Sequence, residues 1–289
     1  MEVIAIYANK NKEIALTSAI TAVDVLFRSG VDCIVQPAVY DLLDNEMKSY
    51  AKSMVLSDFA KSADAVLSFG GDGTLLTVAR EMLHSSTPIM GFNVGKLGFL
   101  AEYSIDNIEQ SIKEIINGNF RLVDRSVLET KHDSQTIYAL NDFVIEKQNT
   151  SKMITVKTYS DDHFVGDYRA DGLILTTPTG STAYSLSCSG PIIAPSAKVL
   201  CITPISPHTL TIRPLVIPDT NEISFQLIDS GDGAILVADG FTIALLNNNE
   251  KISFKISDLK VKLIKPKQTS FYDVLRNKFL WAAHTVENN

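Results

Sequence analysis

The 289-residue chain has few of the features that mark secreted, membrane-spanning or nucleic-acid-binding proteins. Its three cysteines are far apart and form no metal-type spacing, so they predict reduced thiols and a cytoplasmic protein. No apolar run approaches the ~20 residues of a membrane helix, and the short N-terminal one follows no basic residues, so neither a membrane span nor a signal peptide is expected. The net charge of −7 argues against nucleic-acid binding and against binding to an anionic membrane.

Strand and helix patterns alternate four times in the first 118 residues. Apolar runs typical of buried strands are followed by segments with helical spacing, and Gly30 and Gly118 end two of those segments. This alternation predicts a Rossmann-like α/β domain, a parallel sheet with helices on both faces, over residues 1–118. The predicted strands are 3–8, 31–36, 64–69 and 88–92, and the predicted helices are 11–29, 41–62, 74–84 and 106–117.

After Gly118 the helical spacing gives way to short alternating or β-branched runs with turn residues between them. This pattern predicts an all-β sandwich domain over residues 119–269. The remaining residues, 270–289, are expected to carry a C-terminal helix that packs back on the first domain. The predicted strands are 120–130, 135–147, 153–160, 171–178, 197–204, 221–227, 233–239 and 252–257.

The stretch "SFGGDGTLLTVAR", residues 68–80, joins a predicted strand to a helix through glycines and an acid. Gly70 and Gly71 tolerate positive φ and let a phosphate approach the backbone, and Thr74 is expected to cap the helix. Asp72 lies where such a phosphate would bind, so it costs affinity unless it accepts a proton or holds a metal. The alternative is that Asp-Gly is only a turn.

Two better-known phosphate loops are excluded. A P-loop needs four residues between its glycines and then Lys-Ser or Lys-Thr, but only three lie between Gly91 and Gly95, and Leu97 follows the lysine. The dinucleotide fingerprint needs glycine where Leu76 stands.

Three more stretches combine turn and polar residues. In "GFNVGKLGFL", residues 91–100, Phe92 and Phe99 could line a base site or simply fill the core. In "LNDFVIEK", residues 140–147, an Asn-Asp pair interrupts a strand pattern, which indicates a polar site, a bulge or a turn. In residues 169–195, hydroxyl-bearing turn residues and Tyr184 suit a ribose and a base, unless the stretch is a surface loop.

Together these stretches resemble the NAD kinase (ATP-NAD kinase) family. The five residues from Gly70 look like its GGDGT motif, which phosphofructokinases and diacylglycerol or sphingosine-type lipid kinases share in related form. "NVGKLGFL", Asn141-Asp142, "DGLILTTPTGSTAY" (171–184) and "PHTLTIRPLVIP" (207–218) are similar to the family's further segments. The motifs span roughly residues 65–220, and TPTGSTAY makes the resemblance specific.

The resemblance implies phosphoryl transfer from ATP to the 2′-hydroxyl of the adenosine ribose of NAD, giving NADP, with Mg²⁺ or another divalent metal accompanying ATP. It makes Asp72 the general base, and it makes Gly71, Gly73 and Thr74 the donors to the phosphates. No side chain is assigned as a metal ligand. Family members are generally homodimers or homotetramers. The resemblance further implies that NAD contacts Asp72, Gly73, Phe99, Asn141, Asp142, Lys152, Arg169, Asp171, Thr182, Ala183, Tyr184, Ser185, Leu186 and Ser187.

The chain departs from the family's pattern at two positions. Asp142 replaces the usual glutamate and is one methylene shorter, and Phe241 replaces a common glutamine, so that contact is expected to be lost. Arg169 stands where the family tends to place a polar residue when NAD is preferred over NADH. Three alternatives stay open: a lipid kinase, a sugar-phosphate kinase, and a dinucleotide sensor without activity.

Overall fold

The computed structural model describes residues 1–95, 97–149 and 152–279. Its first third alternates strands with helices. Those elements are β1 Val3–Ala8, α1 Glu13–Arg28, β2 Asp32–Val35, α2 Pro37–Tyr40, α3 Asn45–Tyr50, β3 Lys52–Ser53, α4 Leu56–Phe59, β4 Ala65–Gly70, α5 Asp72–Met82, β5 Ile89–Asn93, β6 Tyr103–Ser104, a 3₁₀ helix Ile105–Asn107 and α6 Ile108–Ile116.

The rest of the chain is mainly strand. Of the helices in the described residues, none has the length and apolar character needed to cross a membrane. The remaining elements are β7 Phe120–His132, β8 Gln135–Ala139, β9 Asp142–Lys147, β10 Ile154–Ser160, β11 His163–Ala170, β12 Gly172–Thr176, a 3₁₀ helix Gly180–Thr182, α7 Tyr184–Ser187, β13 Val199–Ile205, β14 Leu215–Pro218, β15 Ile223–Asp229, β16 Ala234–Ala238, β17 Phe241–Leu246, β18 Lys251–Pro266 and α8 Phe271–Phe279.

The chain forms two compact units. Unit 1 comprises Met1–Asp124 and the chain from Val261 onward, and unit 2 comprises Arg125–Lys260. The structure therefore divides the chain inside the long strands β7 and β18, whereas the sequence pattern divides it after Gly118. Helix α8 belongs to unit 1, and residues 280–289 of the predicted terminal helix lie outside the described residues.

Unit 1 is built on a parallel sheet. Its strands run in the order β3-β2-β1-β4-β5, and the C-terminal part of β18 pairs in parallel with β5. Every residue of β4 is buried, as expected for a strand covered on both faces. The buried face of α1 packs in the same core, and Gly30 (φ 68) follows the helix end. This confirms the α/β class predicted for the N-terminal part.

The helix predicted over residues 41–62 is wrong. Helix α3 begins where the Asp44 carboxylate accepts the N–H of Met47, and it ends at Ala51, whose backbone is extended. The two residues of β3 then pair in parallel with β2. Pairing with the sheet edge overrides the weak helical preference of this polar segment.

Unit 2 contains two antiparallel sheets that share one core. One sheet has the order β14-β13-β12-β9-β16-β17, and the other joins β11, β10, β15 and the first part of β18. The Phe254 ring from the second sheet lies 5.0 Å from that of Phe143 in the first and 5.3 Å from that of Phe225. This confirms the all-β class predicted for the C-terminal part.

Candidate active site

The GGDGT stretch joins β4 to the N-terminus of α5. A Cβ added at Gly70 would lie 2.1 Å from the Thr74 hydroxyl oxygen, so only glycine lets the strand end pack against the first helical turn. At Gly71 and Gly73 an added Cβ would meet no described atom within 4 Å. These two backbones therefore face open space at a helix N-terminus, which is a favourable place for an anion.

The expectation that Thr74 caps this helix is wrong. Gly71 is the capping residue, with an extended backbone, and the N–H of Thr74 already donates to the Gly71 carbonyl at 3.0 Å. The Thr74 hydroxyl instead accepts a hydrogen bond from the Asn9 amide at 3.4 Å. Sequence reasoning missed Asn9, whose signal is a polar side chain directly after the buried strand β1.

The Asp72 carboxylate stands at the first position of α5 and is held by backbone donors. Its Oδ2 accepts the N–H of Phe99 at 2.9 Å, and its Oδ1 accepts those of Leu100 at 3.1 Å and Ala101 at 3.0 Å. A Cβ at Gly98 would lie 2.1 Å from Asp72 Oδ1, so this position must be glycine for the carboxylate to fit. The structure thus brings the GGDGT and LGFL segments together.

The two aromatic candidates of this region have different environments. Phe92 is fully buried and stacks on Phe69 with ring centroids 4.6 Å apart, so it fills the core. Phe99 is half-buried, its ring lies 5.6 Å from that of Phe279, and the Lys278 ammonium lies 4.5 Å from its centroid. Its ring therefore contacts α8.

In unit 2, the strand predicted over residues 135–147 is interrupted at Leu140 and Asn141. The Asp239 carboxylate accepts the backbone N–H groups of Leu140, Asn141 and Asp142 at 2.8, 2.7 and 3.1 Å. Because these N–H groups donate to Asp239, they are not available for pairing with a neighbouring strand. The chain therefore turns here, and β9 begins at Asp142. Sequence reasoning missed the role of Asp239, which has positive φ (47°) before Gly240.

The TPTG turn packs directly on this interruption. The Thr177 hydroxyl donates to the Leu140 carbonyl at 2.7 Å, and the Thr176 hydroxyl donates to the Asn141 carbonyl at 3.0 Å. A Cβ at Gly180 would lie 2.2 Å from the Asn141 carbonyl oxygen. The two polar segments singled out from the sequence are therefore neighbours.

Beside them lies a pocket of about 350 Å³ within unit 2. Exposed Tyr184 and the half-buried Ala183 line it together with carboxylates from β9 and from the β16–β17 turn. Such a mixture of an aromatic ring and acceptors suits a ligand with hydroxyl and amide donors. The lining residues are Asn141, Asp142, Val144, Glu146, Ala183, Tyr184, Val237, Asp239, Gly240 and Thr242.

The carboxylates of the pocket influence one another's protonation. Burial raises the pKa of Asp142 to about 7, and the negative charges of Asp239 and Glu146 add to the increase. Burial also raises the pKa of Glu146 and that of the Tyr184 hydroxyl. Asp142 in this pocket therefore binds a proton more readily than an exposed aspartate does.

The other predicted NAD-binding residues of unit 2 do not line this pocket. Asp171 forms a 2.6 Å ion pair with Lys147, which sequence reasoning missed, and exposed Lys152 pairs with Asp232 at 3.0 Å. Arg169 is exposed on β11. The Ser185 hydroxyl is buried 2.8 Å from that of Thr203. Leu186 and Thr182 are half-buried, and Ser187 is exposed.

Among residues 1–95, 97–149 and 152–279, no group of three or more His, Cys, Asp and Glu side chains is arranged to hold a metal ion.

A parallel α/β unit with a helix N-terminus open beside a held carboxylate, joined to an all-β unit with a polar pocket, is the plan of a two-domain phosphate-binding enzyme. The family model described as ATP-NAD kinase N-terminal domain matches residues 4–120, and that described as ATP-NAD kinase C-terminal domain matches residues 140–266. The chain belongs to the ATP-NAD kinase family, and it is accordingly an ATP-dependent kinase that acts on NAD.

Relatives named NAD kinase match most of the chain. That of Bacteroides fragilis is 36% identical over 284 residues, which cover 96% of this chain and 98% of that protein. That of Cytophaga hutchinsonii is 40% identical over 222 residues, 75% of this chain and 76% of that protein. The match to the Bacteroides fragilis protein extends over nearly the whole length and supports the family assignment for both units.

Two solved structures share the fold. Yeast NADH kinase complexed with NADH matches with a TM-score of 0.87 and 24% identity, covering 100% of this chain and 89% of that one. An NAD kinase from Archaeoglobus fulgidus in complex with ATP matches with a TM-score of 0.77 and 23% identity, covering 96% and 98%.

Proposed function

We propose that this enzyme transfers the γ-phosphoryl group of ATP to the 2′-hydroxyl of the adenosine ribose of NAD, with Asp72 as the general base. The observation that carries the proposal is the Asp72 carboxylate, fixed at the start of α5 beside the open backbones of Gly71 and Gly73. The proposal includes a homodimer or homotetramer in the cytoplasm, which rests on the sequence resemblance and the cysteine pattern.

The hydrogen bonds of Asp72 define how it can act. An ionised carboxylate has about four lone-pair directions, and three of them are occupied by backbone N–H groups. Oδ1 accepts two of these bonds and Oδ2 one, so a direction on Oδ2 remains for the ribose hydroxyl. A fixed acceptor of this kind orients the hydroxyl and takes its proton, which contributes about 10²–10⁴-fold to the rate.

The proposed reaction is a single displacement at the γ-phosphorus. The ribose oxygen forms a bond to the γ-phosphorus, the bond from that phosphorus to the β,γ-bridging oxygen breaks, and ADP leaves. The hydroxyl proton passes to Asp72 Oδ2 and from there to solvent. The backbone N–H groups at the start of α5, with Gly71 and Gly73 leaving room, hold the phosphates in line.

The divalent cation enters the proposal as a companion of ATP. The described residues offer no preformed cage, so the phosphates of ATP would supply ligands for Mg²⁺, which is usually bound through substrate phosphates and water. When bound, such a cation neutralises charge on the β- and γ-phosphates.

The pocket of unit 2 supplies some of the proposed NAD contacts, namely Asn141, Asp142, Ala183 and Tyr184. Asn141 and Asp142 form hydrogen bonds with the dinucleotide, and Tyr184 stacks on it or caps it. Asp171 contacts the other ribose or the nicotinamide end. The remaining proposed contacts are Gly73, Phe99, Lys152, Arg169, Thr182, Ser185, Leu186 and Ser187.

The test is NADP formation by the purified protein with ATP, Mg²⁺ and NAD, with NADH as a competing substrate. We expect product from NAD, and we expect Asp72→Asn to keep NAD binding while turnover falls at least about a hundredfold, the low end of general-base catalysis. The matched control is Asp58→Asn, an exposed aspartate of unit 1 that pairs with Lys61. Turnover near the wild-type value in Asp72→Asn would exclude the general base.

The assay also decides between the alternatives. Binding of NAD without product indicates a dinucleotide sensor. A preference for NADH over NAD would contradict the role given to Arg169 and favour an NADH kinase, the activity named for the yeast protein that shares the fold.

A further inference from the structure

A buried ion pair lies behind the segment that holds Asp72. Lys265, near the end of β18, is 1% exposed, and its ammonium donates to Glu102 Oε1 at 2.7 Å and to the Leu100 carbonyl at 2.6 Å. Burying a charge is unfavourable unless it is fully paired. The second carboxyl oxygen of Glu102 has no hydrogen-bond partner among the described residues.

The ion pair and Asp72 are linked through one peptide group. The Leu100 carbonyl accepts from Lys265, and the N–H of the same peptide group, which belongs to Ala101, donates to Asp72 Oδ1 at 3.0 Å. A hydrogen bond at the carbonyl polarises the amide and strengthens its N–H as a donor. A cation at one end of the peptide group therefore acts on the carboxylate at the other end.

The position of Lys265 is set by the sheet. Leu263 and Ile264 pair in parallel with Ile89 and Met90 of β5, so Lys265 continues the strand beside Gly91, where an added Cβ would lie 2.8 Å from Ala101 Cα. The ammonium thus reaches Leu100 from a rigid strand and not from a loop. Rigid support of this kind is what a precisely held catalytic group requires.

We propose that Lys265 is a positioning residue for Asp72. It fixes and polarises the Leu100–Ala101 peptide group, with Glu102 as its counter-ion, and it touches neither substrate. The proposal rests on the proposed function, because it assigns Lys265 a role in holding the general base.

The first test is Lys265→Met, which keeps an unbranched side chain one atom shorter than lysine and removes its charge. We expect kcat to fall about tenfold, equivalent to about 1.4 kcal/mol in activation free energy, while KM for NAD and ATP changes less than about twofold. The matched control is Lys113→Met on α6, whose ammonium forms an exposed pair with Glu109 and should leave kcat unchanged.

A double-mutant cycle separates positioning from a general structural role. If Lys265 acts through Asp72, then Lys265→Met lowers kcat little further in the Asp72→Asn background. The same loss in both backgrounds overturns the positioning role and leaves the general base intact. Wild-type turnover in Asp72→Asn alone overturns the general base instead, so the two failures are distinguishable.

Folding is checked by circular dichroism melting before the kinetics. If Lys265→Met does not fold, the variant Lys265→Met with Glu102→Gln removes both charges of the pair, and the same comparison is made with it. An undiminished kcat in that variant also overturns the proposal.

Discussion

Two aspartates in this protein, Asp72 and Asp239, each accept hydrogen bonds from three consecutive backbone N–H groups. Each carboxylate thereby fixes a segment that carries predicted site residues. The side chain of aspartate is short, so it holds the segment close to its own backbone. A longer glutamate would move the bound segment away by one methylene.

The buried carboxyl group of Asp142, a residue that is 4% exposed, should make the stability of the protein depend on pH. Its pKa is raised to about 7 by burial first and then by Asp239 and Glu146, whereas an unfolded aspartate has a pKa of about 3.9. The folded state therefore binds the proton more tightly. The stability that the folded state gains from binding this proton is fully present below about pH 4 and is lost as the pH rises to about 7.

Asp142→Asn removes the ionisation, so it should raise the melting temperature at pH 8 relative to wild type and change it little at pH 4.5. At pH 8, a pKa rise of about three units limits the gain in unfolding free energy to about 4 kcal/mol. We expect a gain of at least about 1 kcal/mol, which raises the melting temperature by about 2 °C. Thermal melts at the two pH values measure it, with the exposed Asp258→Asn as control. Equal shifts at both pH values would contradict the raised pKa.

The residues of the site differ in how far the sequence alone reveals them. Asp72, Asn141 and Tyr184 stand in recognisable motifs, so local pattern is enough to single them out. Lys265 and Asp239 act on segments 165 and about 98 residues away, and no local pattern indicates such partners.

At the scale of elements, the turn after β12 depends on Gly180. A Cβ there would meet the Asn141 carbonyl oxygen at 2.2 Å and the Thr176 hydroxyl at 2.5 Å. The Asn141 carbonyl oxygen cannot move aside at a small cost in free energy, because the backbone of Asn141 is itself held by Asp239. The turn and the start of β9 are therefore mutually dependent.

Gly180→Ala should destabilise unit 2 by about 1–3 kcal/mol, the usual effect of overpacking, and weaken NAD binding. The matched control is Gly166→Ala in β11, where the nearest atom to an added Cβ is 3.8 Å away. Melting temperature and NAD affinity are measured for both variants. Equal behaviour of the two would show that the turn adapts to the extra carbon.

Element prediction succeeded where the pattern was strong and local. The first strand and the helix after it are found as predicted, whereas the helix predicted over residues 41–62 is replaced by α3, β3 and α4. The pattern missed β11, β14 and β17, which carry exposed apolar residues such as Phe164, Val216 and Leu245 and lack clean alternation. The interruption at Leu140 came from Asp239, a tertiary contact that alternation along one strand does not encode.

At the scale of the whole molecule, unit 1 is discontinuous. Its sheet includes Val261, Leu263 and Ile264, which are at most 4% exposed and follow all of unit 2 in the chain. Burying three such side chains contributes about 1.5–3 kcal/mol each. Their sum is comparable to the total stability of about 5–15 kcal/mol of an ordinary domain.

A chain that ends at Lys260 should therefore fail to fold unit 1 while unit 2 keeps its own core. Hydrogen exchange followed by mass spectrometry would show β1 and β4 exchanging as in an unfolded chain, and β9 and β12 protected. The full chain is the control. Full protection of β1 and β4 in the shortened chain would show that the C-terminal segment is dispensable.

The order in which the ribosome makes these segments adds a consequence. Lys265 is synthesised 193 residues after Asp72, which takes about 10–40 s at ~5–20 residues per second. For all that time the GGDGT loop exists without the ammonium that hydrogen-bonds to the peptide group beside Asp72. If Lys265 positions Asp72 as proposed, premature release of the nascent chain yields a protein that has the GGDGT motif and lacks this support.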